Sequence, residues 1–325
     1  MTQPTKPVSE QVLRSATQSV VARRRIADLV RKTDVIPSRM VLPEGTEIHY
    51  KTENFQLTGS FKLRGASAKL SGLPVDCPVI TASSGNHGIA CSLAAQRTGH
   101  KLTVVLPENV INQKREKIES FGTRVVIAGA DSSLAEVHAR SLAEAEGHTY
   151  VSPYNDAEVI AGQGTIGLEL LEQLPQIDNL FISMGGGGLI SGIGAVLKSM
   201  SPGTRIIGVS AINTAALAAS ITAGEIVETE HYDTLADGVA GGVDENSLTL
   251  PLASEIIDEI VHIDEKGISD ALKVLAWTEN MIVEGAAALA LAPLLNTPEK
   301  YAGKVNVVLL CGANYDKARV MDAVT

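Results

Sequence analysis

The strongest constraint on the fold is a rhythm of short, near-continuously apolar β-rich runs separated by segments of helical period. The runs are EIHYKTE (47–53), PVITAS (78–83), KLTVVLP (101–107), RVVIAG (124–129), NLFISMG (179–185), RIIGVS (205–210), IVHID (260–264) and VNVVLLCG (305–312). Helical patterns lie between most of them, at 111–121, 132–146, 156–174, 187–199 and 265–279. Another precedes them at 16–32, with Pro37 and Pro43 closing the segment into a loop. A strand that is apolar along its whole length is buried on both faces, as in a parallel sheet covered by helices on either side. The expected fold class is α/β, with doubly wound parallel sheets. A length of 325 residues favours about two domains. The stretch 224–251 mixes acid clusters with glycines and has no clear period, so it reads either as an ordered loop near an active site or as a surface segment.

Composition excludes several classes. Against 27 Lys and Arg stand 37 Asp and Glu, a formal charge of −10, whereas nucleic-acid binding rests on cations that neutralise phosphates. No window is apolar for long enough to span a membrane, and the first twenty residues lack the basic start and apolar run of a signal peptide. The expectation is a cytoplasmic protein with no nucleic-acid or membrane partner. Cys77, Cys91 and Cys311 are odd in number and widely spaced, which suits neither a disulfide framework nor a zinc site.

In doubly wound sheets, ligands bind where strand ends meet helix starts, because free backbone N–H groups and the helix dipole favour anions there. Three such junctions are rich in small polar residues: SSGNHG (83–88), GGGG (185–188) and CGAN (311–314). All three are expected on one edge of a parallel sheet. Gly185, Gly186, Gly187 and Gly188 let the backbone approach a phosphate closely, although a tight strand-to-helix turn alone would also use glycine. The dinucleotide pattern GxGxxG fails, since Ser191 occupies the third glycine position and the next strand ends in Ser210 rather than an acid. A lone phosphate on a smaller cofactor fits better. Upstream, Lys62 follows Phe61 in KTENFQLTGSFKLRGA (51–66), just after a plausible helix start. Most lysines are solvated surface charges, but a desolvated one becomes a nucleophilic amine.

With Lys62, SSGNHG, GGGG and CGAN in this order, and VIAGQGTIGLELL (159–171), LADGV (235–239) and VEGAAALA (283–290) agreeing, the chain resembles the fold-type II pyridoxal-phosphate enzymes. The likeness is in particular to the branch of serine/threonine dehydratases and serine racemases, over residues of about 16 to 320. That resemblance implies a tryptophan synthase β-subunit-like fold. It places a large domain at 1–70 and 158–325 around a small, mobile domain at 71–157. It also implies a homodimer, pyridoxal 5′-phosphate as cofactor and an amino acid as substrate. Lys62 would form a Schiff base with the cofactor and act as general base. Gly185 to Gly188 would hold the phosphate, Asn86 the ring hydroxyl, Cys311 would face the ring nitrogen, and Glu284 would lie near the ring. Ser83, Ser84, Asn86 and His87 would grip the substrate carboxylate, with Ser84 at the position that acts on the opposite face of Cα in the racemases.

The implied reaction is elimination of water and ammonia from threonine, serine or a related β-hydroxy amino acid to give a 2-oxo acid. Racemisation, β-replacement, a specialised dehydratase of hydroxyaspartate or hydroxyectoine breakdown, and a non-catalytic binding protein are the alternatives. SGNHG rather than SGNTG counts against replacement, and Lys62 against mere binding. His87 can instead orient its loop, and Cys311 can be a small buried hydrophobe. The positions where the racemase-like branch carries cation-binding acids appear as Ser210 and Ala216, so no metal is expected there. The loop after 124–129 lacks the arginine of dicarboxylate-specific members, and only Arg140 or Arg64 is at hand to reach in.

Overall fold

The computed structural model describes residues 7–325; residues 1–6, the start of the range assigned to the larger domain and of the segment read for a signal peptide, lie outside them. Ten strands are present among the described residues: β1 Val35–Pro37, β2 Glu47–Lys51, β3 Val79–Ala82, β4 Leu102–Leu106, β5 Arg124–Ile127, β6 Thr149–Tyr150, β7 Asn179–Ser183, β8 Arg205–Ala211, β9 Glu259–Ile263 and β10 Val305–Leu309. They form two sheets. The six-stranded sheet runs β1-β2-β10-β7-β8-β9 and is parallel except at β1–β2, whereas the four-stranded sheet runs β5-β4-β3-β6 and is parallel throughout. All four strands of the smaller sheet fall within 71–157 and all six of the larger outside it.

The apolar runs become central strands. Every residue of β4 and of β7 is buried, as expected of parallel strands covered on both faces. The main core gathers Phe181, Ile182, Ile193, Leu197, Val307 and Val308 around the larger sheet, while Leu63, Ile89, Leu102, Val104 and Ile118 pack on the smaller one.

Three expectations are corrected. Pro37 ends an antiparallel edge strand rather than lying in a loop; an edge tolerates a residue with no N–H, and three residues are too few to show a period. The first helix spans Glu10–Ile26, not 16–32. Ser9 caps it by accepting from Val12 N at 3.3 Å, and beyond Ile26 the Gln56 side chain takes both main-chain groups of Arg31 at 2.8 Å, competing with helical bonding. Finally, the three small-residue junctions do not share one sheet edge. SSGNHG follows β3 of the smaller sheet, and GGGG and CGAN follow β7 and β10 of the larger, so the strand ends of two sheets face one cleft.

The helix Ala157–Gln173 packs against helices Glu10–Ile26, Lys62–Ser71 and Gly188–Met200. Asp156 caps it, accepting from Glu158 N at 2.9 Å and Val159 N at 3.1 Å. Its glycines are set by close packing: a Cβ on Gly162 would stand 2.4 Å from Arg64 O, and one on Gly164 2.1 Å from Ser19 Oγ. Among the described residues, no helix is long and apolar enough to cross a membrane.

Candidate active site

Lys62 is the first residue of the helix Lys62–Ser71. The end of β10 fixes that helix start, since Phe61 N donates to Cys311 O at 3.0 Å and Ser60 bridges Gly312. The Lys62 amine donates to Pro153 O at 2.9 Å and lies 5.2 Å from the centre of the Phe61 ring. Burial pulls its pKa down to about 8, against the opposing pull of the Glu284 carboxylate. A desolvated ammonium loses its proton more readily, so more of the amine is neutral and nucleophilic near neutral pH.

The SSGNHG loop turns directly from β3 into the helix Asn86–Thr98. The turn is so tight that a Cβ on Gly88 would stand 1.9 Å from Ser83 O. Ser83 and Ser84 line the cleft at this helix start, where unpaired N–H groups suit a carboxylate. Asn86 Nδ2 donates to both oxygens of Glu284 at 3.0 Å, and Asn314 N donates to the same carboxylate at 3.1 Å. Glu284 is thus buried but bonded; desolvation raises its pKa and Asn86 opposes the rise.

His87 is buried with Nε2 3.0 Å from Val151 O, which assigns the ring proton to Nε2 as a donor. Burial, with Lys62 nearby, pushes its pKa down to about 3. The unfolded ring takes a proton near 6.5, whereas the folded ring resists it to about 3, so the neutral contact contributes full stability above 6.5 and loses it as pH falls toward 3. Urea unfolding of cofactor-free protein is expected to show this loss at up to about 1.4 kcal/mol per pH unit, and His87→Gln to remove that part of the slope. Equal slopes would mean that His87 takes up its proton at the same pH in the folded and the unfolded protein.

GGGG links β7 to the helix Gly188–Met200. Gly187 has φ +88°, a left-handed conformation that strains other residues. Space is as restrictive: a Cβ on Gly186 would stand 2.5 Å from the Tyr154 ring, and one on Gly185 3.0 Å from Val239 O. Tyr154 escaped the sequence reading, as did its partner Asp244. The Tyr154 hydroxyl donates to Asp244 Oδ1 at 2.8 Å, Asn155 Nδ2 donates to Asp244 Oδ2 at 2.9 Å, and Asp244 N donates back to the hydroxyl at 2.9 Å. These bonds order the 241–244 part of the aperiodic stretch as a wall of the cleft.

Cys311 is buried, its Sγ 3.9 Å from Glu284 Oε1, and burial lifts its thiol well above the usual range. It is a neutral thiol beside a carboxylate. Neither arginine is placed to read a second substrate carboxylate. Arg64 is fully buried between Glu53 and Glu169, and Arg140 contacts Glu136 and Asp244 while stacking 4.3 Å over Tyr150. Ser210 and Ala216 are buried.

A cavity of about 400 Å³ joins Lys62, Ser83, Ser84, Asn86, Glu284 and Asn314, residues of helix starts and of segments that follow strands of both sheets. A second, of about 450 Å³, shares Lys62, Ser132, Glu136 and Pro153 with it and reaches Tyr154, Gly186 and Asp244. An amine with a lowered pKa therefore adjoins a glycine-lined start of a 13-residue helix, a setting that suits a ligand carrying both an aldehyde and a phosphate.

Comparison with known proteins agrees. A family model described as "Pyridoxal-phosphate dependent enzyme" matches residues 26–312. An L-threonine ammonia-lyase of Thermotoga maritima is 39% identical over 300 residues, covering 91% of this chain and 74% of that protein. Among solved structures, the processed form of threonine deaminase isoform 2 from Solanum lycopersicum superposes with a TM-score of 0.90 at 33% identity, over 99% of this chain and 94% of that one. Maize serine racemase gives 0.86 at 30% identity, over 95% and 96%. The chain belongs to the pyridoxal-phosphate-dependent enzymes, with the two-sheet α/β architecture of fold type II. Within that family it lies in the branch of serine and threonine dehydratases and serine racemases.

Proposed function

We propose that this protein is an ammonia-lyase that converts threonine or serine to the 2-oxo acid and ammonia. The observation that carries the reading is the convergence of Lys62, the SSGNH loop and the glycine junction on one cleft, in a chain whose relatives are named threonine ammonia-lyase and threonine deaminase. When bound, pyridoxal phosphate supplies the electron-withdrawing ring that stabilises negative charge at Cα. Lys62 would hold the cofactor, and its amine would serve as the base that takes the proton from the substrate Cα. The N–H groups at the start of helix Asn86–Thr98, with Ser83 and Ser84, bind the α-carboxylate. Gly185 to Gly188 and the start of helix Gly188–Met200 bind the phosphate. Asn86 and Glu284 would lie at the ring edge. The neutral Cys311 thiol would lie at the ring nitrogen as a weak hydrogen-bonding partner that brings no charge to hold a proton there.

Residues 71–157 form the smaller domain in this reading, and its closure over substrate excludes water. The family resemblance supports a homodimer. Racemisation is the second reading, because Ser84 lines the same cavity as Lys62 and a structural relative is named serine racemase. The test is release of 2-oxo acid and ammonia from L-threonine, L-serine and larger hydroxy amino acids, with chiral analysis of the residual substrate. Oxo-acid release from threonine or serine is the expected result. Interconversion of enantiomers without oxo acid would replace the lyase by a racemase, and a protein that stays colourless with the cofactor would overturn both.

A further inference from the structure

Between the two sheets runs a chain of four polar side chains whose polarity is set from its ends. Lys117, on the helix Asn112–Glu119 beside the smaller sheet, donates through Nζ to Asn314 Oδ1 at 2.8 Å. Asn314 Nδ2 donates to Asn86 Oδ1 at 2.7 Å and to Thr58 O at 2.8 Å. Asn86 Nδ2 donates to Glu284 at 3.0 Å. An amide has a donor end and an acceptor end, and nothing in its shape decides which way it faces. Here the decision comes from the termini: an ammonium can only donate and a carboxylate can only accept, so each amide between them has one satisfied orientation. The loop on which Asn314 sits is tied to the segment before Lys62, with Ala313 N donating to Gly59 O at 2.8 Å.

We propose that Asn314, with Lys117 behind it, is a positioning residue that fixes the orientation of the Asn86 amide, and through it Glu284, beside the cofactor. The inference rests on the reading of the cleft as the cofactor site. Asn314 joins the segment preceding Lys62, the SSGNHG loop and the end of β10, so it couples the placement of the smaller sheet to the catalytic groups of the larger.

The test compares Asn314→Ala, Asn314→Asp, Lys117→Met and the Lys117→Met/Asn314→Ala double variant as holoenzymes, with Lys62→Ala as reference. Asn314→Asp discriminates sharply: a carboxylate still accepts from Lys117 but cannot donate to Asn86 or Thr58. Expected are a fall in kcat of about 10- to 100-fold in both Asn314 variants with KM changed less than about threefold, and a fall of about 3- to 10-fold for Lys117→Met. The double variant should match Asn314→Ala within about twofold, because non-additivity marks residues acting through one chain. The visible absorption band of the bound cofactor should shift in Asn314→Ala while the thermal midpoint stays within about 4 °C. Additive effects, an active Asn314→Asp, or an unshifted band with a lowered midpoint would each overturn the proposal. If wild type shows no cofactor band that Lys62→Ala abolishes, it is the cofactor reading that fails.

Discussion

Lys62→Ala is expected to lower turnover by at least about 1,000-fold, since one substitution removes both the amine that holds the cofactor and the base that takes the Cα proton. The fold should survive it. Lys62 makes one protein hydrogen bond, to Pro153 O, and burial works against its charged form, so its removal relieves desolvation rather than breaking a network. Lys62→Arg is the sharper companion. A guanidinium keeps the positive charge near the cleft but cannot give up its proton at any accessible pH, and it should be as inactive as alanine. The measurement is steady-state oxo-acid release beside the visible spectrum and the thermal midpoint of each variant. If Lys62→Arg kept a tenth of wild-type activity, Lys62 would be an anion-binding charge and the general-base assignment would fall.

How far such a site is legible from sequence depends on the range of the interactions that build it. The strand rhythm is local, and the central strands β4, β7 and β10 lie inside the runs that predict them. Lys62 and the glycine junctions are also local signals, because tight strand-to-helix turns tolerate few residues. Helix Asn86–Thr98 shows why a pattern fails: residues 87–95 are all buried, so no polar face remains to reveal a period. Ligand loops are not the only places that demand glycine. Gly162, Gly164 and Gly192 are required by helices in contact, where a Cβ would stand 2.1–2.4 Å from a neighbouring atom. Pairings distant in sequence leave no trace of their own. Asn86 meets Glu284 across 198 positions, Tyr154 meets Asp244 across 90, and Lys117 meets Asn314 across 197. The motifs mark Asn86, Glu284 and Asn314 without pairing them, and Tyr154, Asp244 and Lys117 read as ordinary polar side chains until the two sheets meet.

Arg64 carries the second large effect, on stability. Its guanidinium is fully buried and forks onto two carboxylates, reaching Glu53 at 2.8 and 2.9 Å and Glu169 at 2.6 and 2.9 Å. Lys51, also fully buried, donates to Glu169 at 2.6 Å, to Thr33 O at 2.7 Å and to Gln173 at 2.9 Å. Two cations thus balance two anions where helices Lys62–Ser71 and Ala157–Gln173 meet the segment 51–53. Arg64→Met leaves two buried carboxylates sharing one lysine, and removing one partner of such a network costs about 3–5 kcal/mol. The pH dependence has a definite sign. Arg64 holds Glu53 below the usual carboxylate range, so without it the carboxylate is easier to protonate, and the deficit of the variant against wild type should be larger at pH 8 than at pH 5. Arg64→Met/Glu53→Gln removes one charge of each sign and should recover part of the loss, since the remaining Lys51–Glu169 pair is balanced. Urea unfolding at both pH values measures all three proteins. A variant within about 1 kcal/mol of wild type at pH 8 would show that water reaches the network, because only a solvated carboxylate tolerates the loss of its guanidinium so cheaply.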